Sequence, residues 1–413
     1  MDVKITPSAL SGTFKAPPSK SFAHRYLIAA FLSGRKTLIK NVGCSRDVKA
    51  TLNALKSMGL QFNGENDVEI SWVNLPRNKV EINCGESGST IRFLLPVACA
   101  LGLECKFSGS ERLLSRPNDK LIGVLREHGA NISSYDVSGK IESGLYEIDA
   151  SVSSQYITGL LFALPLLKED SEIVLQNSVV SANYIDVTLQ VLSEFGIKIE
   201  KTERGFFVKG NQKYSSPAST YTEGDFSAIS FMLTAGALGK GVTATGINVN
   251  SLQGDKKFIE LLKDVGAIVE EKESSVTVKR GELNAFTFDA SSCPDIIQIA
   301  SVLASFCKGK SVIKGVNRLK IKESDRLKGI VDFLGASGIK TEARDDELAV
   351  FGGTPSGGEF CGDNDHRTVM SEAILSSFAT SNSVILGANA VEKSYPDFFK
   401  DFVLLGGKVD VVI

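Results

Sequence analysis

Apolar residues recur along much of the chain at the three- and four-residue spacing of an amphipathic helix, and one such segment returns six times. Each copy has an Asp near its start and a Gly nine to thirteen residues later. Asp in a first helical turn complements the helix dipole, and Gly readily adopts the left-handed conformation that ends a helix. The pairs are Asp47 with Gly59, Asp119 with Gly129, Asp186 with Gly196, Asp255 with Gly266, Asp325 with Gly338, and Asp397 with Gly406. The pattern predicts six copies of one unit, each with a helix of about three turns followed by a strand.

Each unit also has an earlier helix that is apolar on all faces, which predicts burial on every side. Such segments span residues 22–32, 91–100, 157–167 and 296–306. Short strand-like runs follow them, as at residues 37–39, 172–175 and 311–313. The predicted unit is therefore helix, strand, loop, helix, strand, strand.

This repeat predicts an α/β protein with two domains of three units each. The first three units occupy about residues 20–210, and the last three occupy residues 223–413. Between them, residues 209–225 are polar and contain Ser, Thr and Pro, which is typical of a linker. We expect the active site in a cleft between the two domains.

Composition and charge exclude several classes of protein. The 413 residues include 46 basic and 48 acidic side chains, and a net charge of −2 does not favour binding along a nucleic acid. The longest apolar stretch, residues 93–103, is too short to span a membrane, and no signal-peptide pattern opens the sequence. The cysteines are odd in number without a Cys-x-x-Cys pair, and the histidines are scattered, so neither disulfides nor zinc is indicated. We expect a cytoplasmic protein with reduced thiols and no metal or cofactor.

Hydroxyl and charged residues cluster immediately before the buried helices. A helix start carries free N–H groups and a partial positive charge, so it can hold phosphate or carboxylate. These clusters lie at residues 20–21, 87–90, 153–155, 225–227, 295 and 365–367. The same side chains could instead be simple N-caps.

Cations stand at equivalent positions of several repeats, which favours anion binding over the usual solvated surface charge. They are Lys20, Arg25, Arg116, Lys322, Arg326, Arg367 and Lys393. Among them, Asp295 and Glu323 are either ion-pair partners or acid–base groups. The sequence contains no phosphate-binding GxxxxGK[ST] loop, no GxGxxG fingerprint and no GxSxG elbow. The residues predict an enzyme for small polyanions and leave its reaction open.

Several motifs in a fixed order resemble those of the EPSP synthase family, the 3-phosphoshikimate 1-carboxyvinyltransferases. They are SKSFAHR (19–25), ESGSTIR (86–92), RLLSRP (112–117), SVSSQ (151–155), EGD (223–225), KESDR (322–326), NDHR (364–367) and KSYPDFF (393–399). The resemblance implies a two-domain inside-out α/β barrel fold with six βαβαββ units. Residues 16–222 would form the N-terminal domain, and residues 1–15 with 223–413 the C-terminal domain.

The resemblance also implies a reaction and a set of site residues. The family transfers the enolpyruvyl group of phosphoenolpyruvate to the 5-hydroxyl of shikimate 3-phosphate and releases phosphate. Catalysis would rest on Asp295, Glu323 and Lys20. Shikimate 3-phosphate would be bound by Lys20, Ser21, Arg25, Ser153, Ser154, Gln155, Ser181, Tyr184, Asp295 and Lys322. Phosphoenolpyruvate would be bound by Lys20, Gly88, Arg116, Gln155, Arg326, His366, Arg367 and Lys393. The family default is a monomer, and Gly88 with the intact cation set predicts competition by glyphosate.

Some positions depart from the commonest family pattern. Glu86 and Arg318 stand where Asn is frequent, and Pro18 and His24 replace Gly and Asn. We expect a cation to contact Glu86, because an unpaired negative charge beside an anion site is costly.

Two rival functions remain to be weighed. The sister enzyme that uses UDP-N-acetylglucosamine carries a Cys where this chain has Glu111. A catalytically silent anion-binding scaffold would be favoured by loss of Asp295, Glu323 or Lys20, and all three are present.

Overall fold

The computed structural model describes residues 1–177, 179 and 181–412. Ile413, the last residue of the predicted C-terminal domain, lies outside this range. The helices are α1 (Lys20–Ser33), α2 (Arg46–Ser57), α3 (Gly88–Leu101), α4 (Glu111–Ser115), α5 (Asp119–Glu127), α6 (Ser154–Ala163), α7 (Asn183–Glu194), α8 (Phe226–Leu238), α9 (Lys257–Asp264), α10 (Ile297–Ser305), α11 (Arg326–Ala336), α12 (His366–Ser377) and α13 (Phe398–Leu404). Short 3-10 turns occupy 164–166, 254–256, 294–296, 317–321 and 388–393.

The strands are short, mostly three to six residues. They are β1 (Val3–Thr6), β2 (Ser11–Lys15), β3 (Thr37–Lys40), β4 (Leu60–Asn63), β5 (Val68–Val73), β6 (Val80–Asn83), β7 (Cys105–Ser108), β8 (Ala130–Ser133), β9 (Asp136–Gly139), β10 (Leu145–Asp149), β11 (Ser171–Gln176), β12 (Ile199–Thr202), β13 (Gly205–Val208), β14 (Ser219–Tyr221), β15 (Gly241–Thr245), β16 (Ile268–Lys272), β17 (Ser275–Lys279), β18 (Thr287–Asp289), β19 (Lys310–Lys314), β20 (Thr341–Arg344), β21 (Glu347–Phe351), β22 (Glu359–Cys361), β23 (Ser383–Leu386) and β24 (Lys408–Val411).

Within the described residues these strands form six mixed sheets of four strands, and all six share one pattern. Two parallel strands lie side by side, and an antiparallel pair continues the sheet from the second of them. The orders are β14-β3-β5-β4, β6-β7-β9-β8, β10-β11-β13-β12, β2-β15-β17-β16, β18-β19-β21-β20 and β22-β23-β1-β24. The α/β fold class and the sixfold repeat predicted from the sequence are therefore confirmed.

Three of the sheets take a strand from a distant part of the chain. β2 pairs in parallel with β15, Ser11 opposite Gly241. β14 pairs in parallel with β3, Ser219 opposite Leu38, and β1 lies between β23 and β24. Residues 219–221 of the segment predicted to be a linker therefore form a strand. β14 is an edge strand with exposed side chains, so its residues carry no apolar pattern that could reveal it.

Each unit uses its two helices differently. The first helices α1, α3, α6, α8, α10 and α12 are largely buried, and every residue of α8 and of the more polar α12 is enclosed. The second helices are amphipathic and bury one face against a sheet, as α2 does through Val48, Leu52 and Leu55. The six glycines that follow them have φ between +76° and +103°, as the capping pattern predicted.

The chain divides into two compact units, one of residues 18–222 and one of residues 1–17 with 223 onward. Each has its own hydrophobic core, built around its three buried helices. Among the helices of the described chain, none is long and apolar enough to cross a lipid bilayer.

Candidate active site

The predicted polar clusters lie at the starts of the buried helices, and several of their side chains cap those helices. Side-chain oxygens accept hydrogen bonds from backbone N–H groups of the first turn at Ser87, Ser153, Asp225 and Asp365. The N-cap interpretation of these four residues is therefore confirmed. The case for an anion site rests on the charged and amide side chains beside them.

The predicted site residues fall into two groups, one in each compact unit. The first, which we call the hydroxyl cluster, contains Lys20, Ser21, Arg25, Gly88, Arg116, Ser153, Ser154, Gln155, Ser181 and Tyr184. The second, which we call the charged cluster, contains Asp295, Lys322, Glu323, Arg326, His366, Arg367 and Lys393.

Arg25, on α1, forms hydrogen bonds with two residues of α7. Its Nη2 donates to the carbonyl oxygen of Tyr184 at 2.9 Å, and its Nε donates to Thr188 Oγ1 at 2.8 Å. Its Nη1 donates to the carbonyl oxygen of Ser21 at 2.7 Å, one turn earlier on α1. Burial lowers the pKa of Arg25 to about 9, so the side chain is still a cation at neutral pH. The contacts bring Ser21, Arg25 and Tyr184 into one place.

Gln155 joins the starts of α3 and α6. Its Oε1 accepts a hydrogen bond from Arg92 Nη1 at 2.8 Å, and its Nε2 donates to Ser89 Oγ at 2.9 Å. Arg92 Nε also donates to Asn118 Oδ1 at 2.9 Å, and its guanidinium lies over the ring of Tyr156. Sequence reasoning missed Arg92, which stands inside the ESGSTIR motif four residues after Gly88 and one helical turn into a buried helix.

Gly88 is the first residue of α3 and lies beside the guanidinium of Arg116. A Cβ added at this position would lie 2.7 Å from Arg116 Nη1, so the absence of a side chain lets Arg116 reach the backbone there. Lys20, at the start of α1, forms an ion pair with Asp47 Oδ2 at 2.7 Å. Asp47 entered the sequence analysis only as a helix-start residue.

Hydroxyl groups complete this cluster. Ser153, Ser154 and Ser181 are buried, and Ser181 has φ of +52°, just before α7. Ser21 Oγ lies 3.0 Å from Ser19 Oγ. The cluster therefore offers several hydroxyls and three cations, which suits a polyol that carries anionic groups.

Asp295 is the centre of the charged cluster. Its Oδ1 lies 2.9 Å from Arg326 Nη1 and 3.2 Å from Lys322 Nζ, and its Oδ2 lies 3.3 Å from Arg367 Nη2. Burial opposes ionisation of Asp295, but Arg367, Lys322 and Arg326 outweigh it and hold its pKa well below the usual range. Asp295 is therefore a carboxylate at neutral pH.

Arg326 contacts three carboxylates at once. Its Nη2 lies 2.7 Å from Glu323 Oε2 and its Nε lies 2.7 Å from Asp365 Oδ2, in addition to the contact with Asp295. Burial alone would lower the pKa of Arg326, but Asp365, Glu323 and Asp295 together raise it. The two predicted acid–base carboxylates thus share one guanidinium.

The remaining predicted residues lie around the start of α12. Arg367 Nη1 donates to the carbonyl oxygen of Asp295 at 3.1 Å, and Lys393 Nζ donates to the carbonyl oxygen of Asn364. His366 Nδ1 lies 4.0 Å from Asp365 Oδ1. The start of this helix is therefore surrounded by cationic side chains.

The negative charge of Asp295 also raises the pKa values of Lys322 and Arg318, against the effect of burial. Burial lowers the pKa of Lys322 to about 8, although Asp295 counteracts it. Burial likewise lowers the pKa of Arg318, and Asp295 again opposes the change. Arg318, a departure from the family pattern, is thus part of the electrostatic surroundings of Asp295.

Asp255 is a second carboxyl group near Asp295 that sequence reasoning missed. It is buried, and Ser227 Oγ donates a hydrogen bond to its Oδ2. Burial and the negative charge of Asp295 raise the pKa of Asp255 to about 6, so two interacting carboxyls titrate far apart. Its place in the Asp-to-Gly pattern gave no sign of this environment.

The family model and the curated relatives reported next carry the same name. A family model described as EPSP synthase (3-phosphoshikimate 1-carboxyvinyltransferase) matches residues 5–402. A protein of that name from Clostridium kluyveri is 41% identical over 99% of this chain and 98% of its own length. One from Clostridioides difficile is 37% identical over 99% of this chain and 98% of its own length.

Solved structures show the same fold. An EPSP synthase from Acinetobacter baumannii superposes with a TM-score of 0.85 at 22% identity, covering 99% of this chain and 100% of that one. The enolpyruvyl transferase NikO from Streptomyces tendae gives 0.80 at 16% identity, with 99% and 98% covered. The match of the family model over nearly the whole sequence, with relatives near 40% identity, shows that this chain belongs to the EPSP synthase family.

Proposed function

We propose that the chain transfers the enolpyruvyl group of phosphoenolpyruvate to the 5-hydroxyl of shikimate 3-phosphate, in the pathway to chorismate and the aromatic amino acids. The observation that carries the proposal is the charged cluster, in which Asp295 contacts three cations and shares Arg326 with Glu323. Family membership supplies the substrates, and the cluster supplies the acid–base groups and cations that this chemistry needs.

The hydroxyl cluster would bind most of shikimate 3-phosphate. Arg25 is held by three hydrogen bonds and presents a fixed cation to the carboxylate. Buried hydroxyls and a cation suit the phosphate, which we assign to Ser153, Ser154, Ser181 and Lys322. The ring would be lined by Ser21, Gln155, Tyr184 and Asp295.

Phosphoenolpyruvate carries a carboxylate and a phosphate, and binding both requires several cations. We assign them to Lys20, Gly88, Arg116, Gln155, Arg326, His366, Arg367 and Lys393. The contacts of Arg326 with Asp295 and Glu323 occupy donors that an incoming anion would need. On substrate binding, Arg326 would therefore release Asp295 or Glu323 and donate to the substrate anion instead.

The reaction would run as an addition followed by an elimination. The substrate 5-oxygen attacks C2 of phosphoenolpyruvate and gives its proton to Asp295, while Glu323, which must enter this step in its protonated form, delivers a proton to C3. In the resulting tetrahedral intermediate, the bond from C2 to the phosphate oxygen breaks. A proton returns from the methyl carbon to Glu323, and Lys20 gives a proton to the bridging oxygen as phosphate leaves. The proton held by Asp295 would then restore Lys20, so that each group ends in its starting state.

The cations around Asp295 explain how this weak base could become active. They hold its pKa low. Bound substrate anions would pair with Lys322 and Arg367. These cations would then stabilise the Asp295 carboxylate less, and the pKa of Asp295 would rise. Binding and activation of the base would thus be coupled.

Assays of variants test these roles. Asp295→Asn and Glu323→Gln should each lower kcat by about a hundredfold or more, since general acid–base catalysis contributes that much. Asp332→Asn, at an exposed residue paired with Lys328, is the control and should match wild type. Normal rates in both active-site variants would exclude these assignments.

The resemblance also supports proposals about an inhibitor, assembly and location. We propose that glyphosate competes with phosphoenolpyruvate and that the protein is a cytoplasmic monomer. Initial rates at several phosphoenolpyruvate concentrations should show a rising apparent KM with unchanged kcat as glyphosate is added. Full activity at glyphosate concentrations far above the KM would refute the first proposal, and light scattering at a dimer mass would refute the second.

A further inference from the structure

Four buried side chains in the unit of residues 18–222 form a continuous chain of hydrogen bonds. His24 Nδ1 lies 2.7 Å from Thr51 Oγ1, and Thr51 Oγ1 lies 2.6 Å from Thr90 Oγ1. Thr90 Oγ1 donates to Ser87 Oγ at 2.7 Å. All four residues are 0% exposed. We call this chain the hydroxyl relay, and it connects α1, α2 and the start of α3.

The number of protons fixes the direction of every bond in the relay. A threonine hydroxyl has one proton to donate. Thr90 gives its proton to Ser87, so the proton between Thr51 and Thr90 must belong to Thr51. Thr51 then has none left for His24, and His24 must donate through Nδ1. The relay therefore requires the Nδ1–H tautomer of His24.

The other ring nitrogen agrees with this assignment. His24 Nε2 is buried and has no hydrogen-bond partner among the described residues, so it can be left as a bare lone pair. A second proton there would be buried without an acceptor. Burial, and then the charges of Lys20 and Arg25, lower the pKa of His24 well below its usual value. Neutral His24 keeps the direction of the relay constant through the physiological pH range.

Both ends of the relay lie beside proposed substrate-binding residues. On α1, His24 stands one helical turn after Lys20, and on α2, Thr51 stands one turn after Asp47. The two helices thus meet through two neighbouring contacts, the ion pair Lys20–Asp47 and the hydrogen bond His24–Thr51.

At its far end, the relay reaches the first turn of α3. Ser87 Oγ accepts from Thr90 Oγ1 and also from the Thr90 backbone N–H, which caps the helix. The next residue, Gly88, lies against the Arg116 guanidinium. A shift of Ser87 would therefore move the backbone that Arg116 contacts.

We propose that the hydroxyl relay is a positioning device that fixes the start of α3 relative to Lys20, and that the Nδ1–H of His24 sets its direction. The proposal rests on the proposed function, because Lys20, Gly88 and Arg116 are assigned there to phosphoenolpyruvate. The four relay residues are fully buried, so they would act on a substrate only through those three. Two of these, Gly88 and Arg116, are assigned to phosphoenolpyruvate alone, so the relay should influence phosphoenolpyruvate more than shikimate 3-phosphate.

Replacing each threonine by valine interrupts the relay with little change in shape. Thr51→Val and Thr90→Val should each raise the KM for phosphoenolpyruvate about tenfold, since small displacements of positioning groups are costly. The KM for shikimate 3-phosphate should stay within about twofold of wild type. Thr234→Val is the matched control, because Thr234 is equally buried, lies on α8 in the other unit and donates only to a backbone carbonyl, that of Ser230.

Substitutions of His24 test the direction of the relay. Asn can still donate one hydrogen bond toward Thr51, whereas Leu cannot. His24→Asn should therefore keep the KM for phosphoenolpyruvate near that of wild type, and His24→Leu should raise it as the valine variants do. An equal rise in both KM values, or a loss of thermal stability alone, would mean a purely structural role and would overturn the proposal.

Nitrogen NMR of the imidazole rings gives an independent readout. The sequence has three histidines, and the signal missing from His24→Asn identifies His24. The relay requires a neutral ring protonated at Nδ1 whose pKa lies well below that of an ordinary histidine. A ring protonated at Nε2, or one that titrates near pH 6.5, would contradict it.

The failure of the two proposals can be told apart. If the wild-type protein does not consume the two substrates together, the proposed function fails, and the NMR result still decides the tautomer. If wild type is active and the valine variants keep its KM for phosphoenolpyruvate, the relay proposal fails alone.

Discussion

Arg326 and Asp365 form an ion pair 2.7 Å long in which the side chains are only 1% and 0% exposed. Asp365 also caps α12 through the backbone N–H of Arg367. One carboxylate therefore holds the start of α12 and orients the guanidinium that Asp295 and Glu323 share. The relative positions of both proposed acid–base groups depend on it.

Asp365→Asn tests this dependence. Removing one partner of a buried ion pair typically costs about 3–5 kcal/mol, because the other charge is left without compensation. Asp295 and Glu323 still contact Arg326, so we expect the low end, about 3 kcal/mol, together with a large loss of kcat. Urea unfolding at pH 7 measures the free energy of unfolding, and Asp332→Asn should change it by less than about 1 kcal/mol. Equal stability of Asp365→Asn and wild type would contradict the account.

Glu372 makes stability depend on pH. It lies inside α12 with neither carboxyl oxygen hydrogen-bonded in the described structure, and burial, Asp363 and Asp365 raise its pKa well above the usual value. Below the pKa of the unfolded chain, Glu372 is neutral in both states and costs nothing extra. As the pH rises from there toward the folded pKa, the unfolded state gains by ionising, and stability falls by about 1.4 kcal/mol per pH unit.

Glu372→Gln removes that dependence. We expect the melting temperatures of the variant and of wild type to be similar at pH 5 and to separate as the pH rises to 8, with the variant the more stable. Calorimetry or dye-based melting at five pH values measures the difference. A constant difference across the range would show that Glu372 is not held neutral.

The lowered pKa of Lys322 predicts that capture of shikimate 3-phosphate weakens at alkaline pH. Burial lowers its pKa to about 8 in the free enzyme, so the cation proposed to bind the phosphate of shikimate 3-phosphate is lost above that pH. We expect kcat/KM for shikimate 3-phosphate, which reports the free enzyme, to fall above pH 8. Lys322→Arg keeps its charge and should move this limb to higher pH, even if its maximum is lower. An unmoved limb would assign the titration to another group.

Gly88→Ala tests the contact with Arg116. The added Cβ would lie 2.7 Å from Arg116 Nη1, and the guanidinium must move away because it is the flexible partner. We expect the KM for phosphoenolpyruvate to rise about tenfold, the KM for shikimate 3-phosphate to stay unchanged and the fold to persist. Gly123→Ala is the control, since a Cβ there meets no atom within 4 Å. If neither KM rose, the result would contradict the assignment of Gly88 to the phosphoenolpyruvate site.

Local patterns predicted the repeat because each depends on neighbours in sequence. Asp47 and Gly59 mark the two ends of one helix, and the same pairing recurs at a regular interval. The apolar segment at residues 91–100 predicted a buried helix, and it lies in α3. By contrast, β14 owes its strand conformation to β3, from which it is about 180 residues distant, and nothing in its own residues indicates that partner.

The site divides in the same way. The cations at helix starts could be found from sequence, but the partners that orient them could not. Asp365 lies 39 residues from Arg326, and only the packing of α11 beside α12 shows that they pair. Asp255 fitted the capping pattern so well that its second property, proximity to Asp295, was hidden.

Phosphate release on mixing the protein with phosphoenolpyruvate and one acceptor at a time is the most direct test. We expect rapid release with shikimate 3-phosphate and none with UDP-N-acetylglucosamine, and mass spectrometry should detect the enolpyruvyl ether of shikimate 3-phosphate. Release with UDP-N-acetylglucosamine alone would assign the chain to the sister reaction. Release with neither acceptor would contradict the proposed function and leave an anion-binding scaffold in its place.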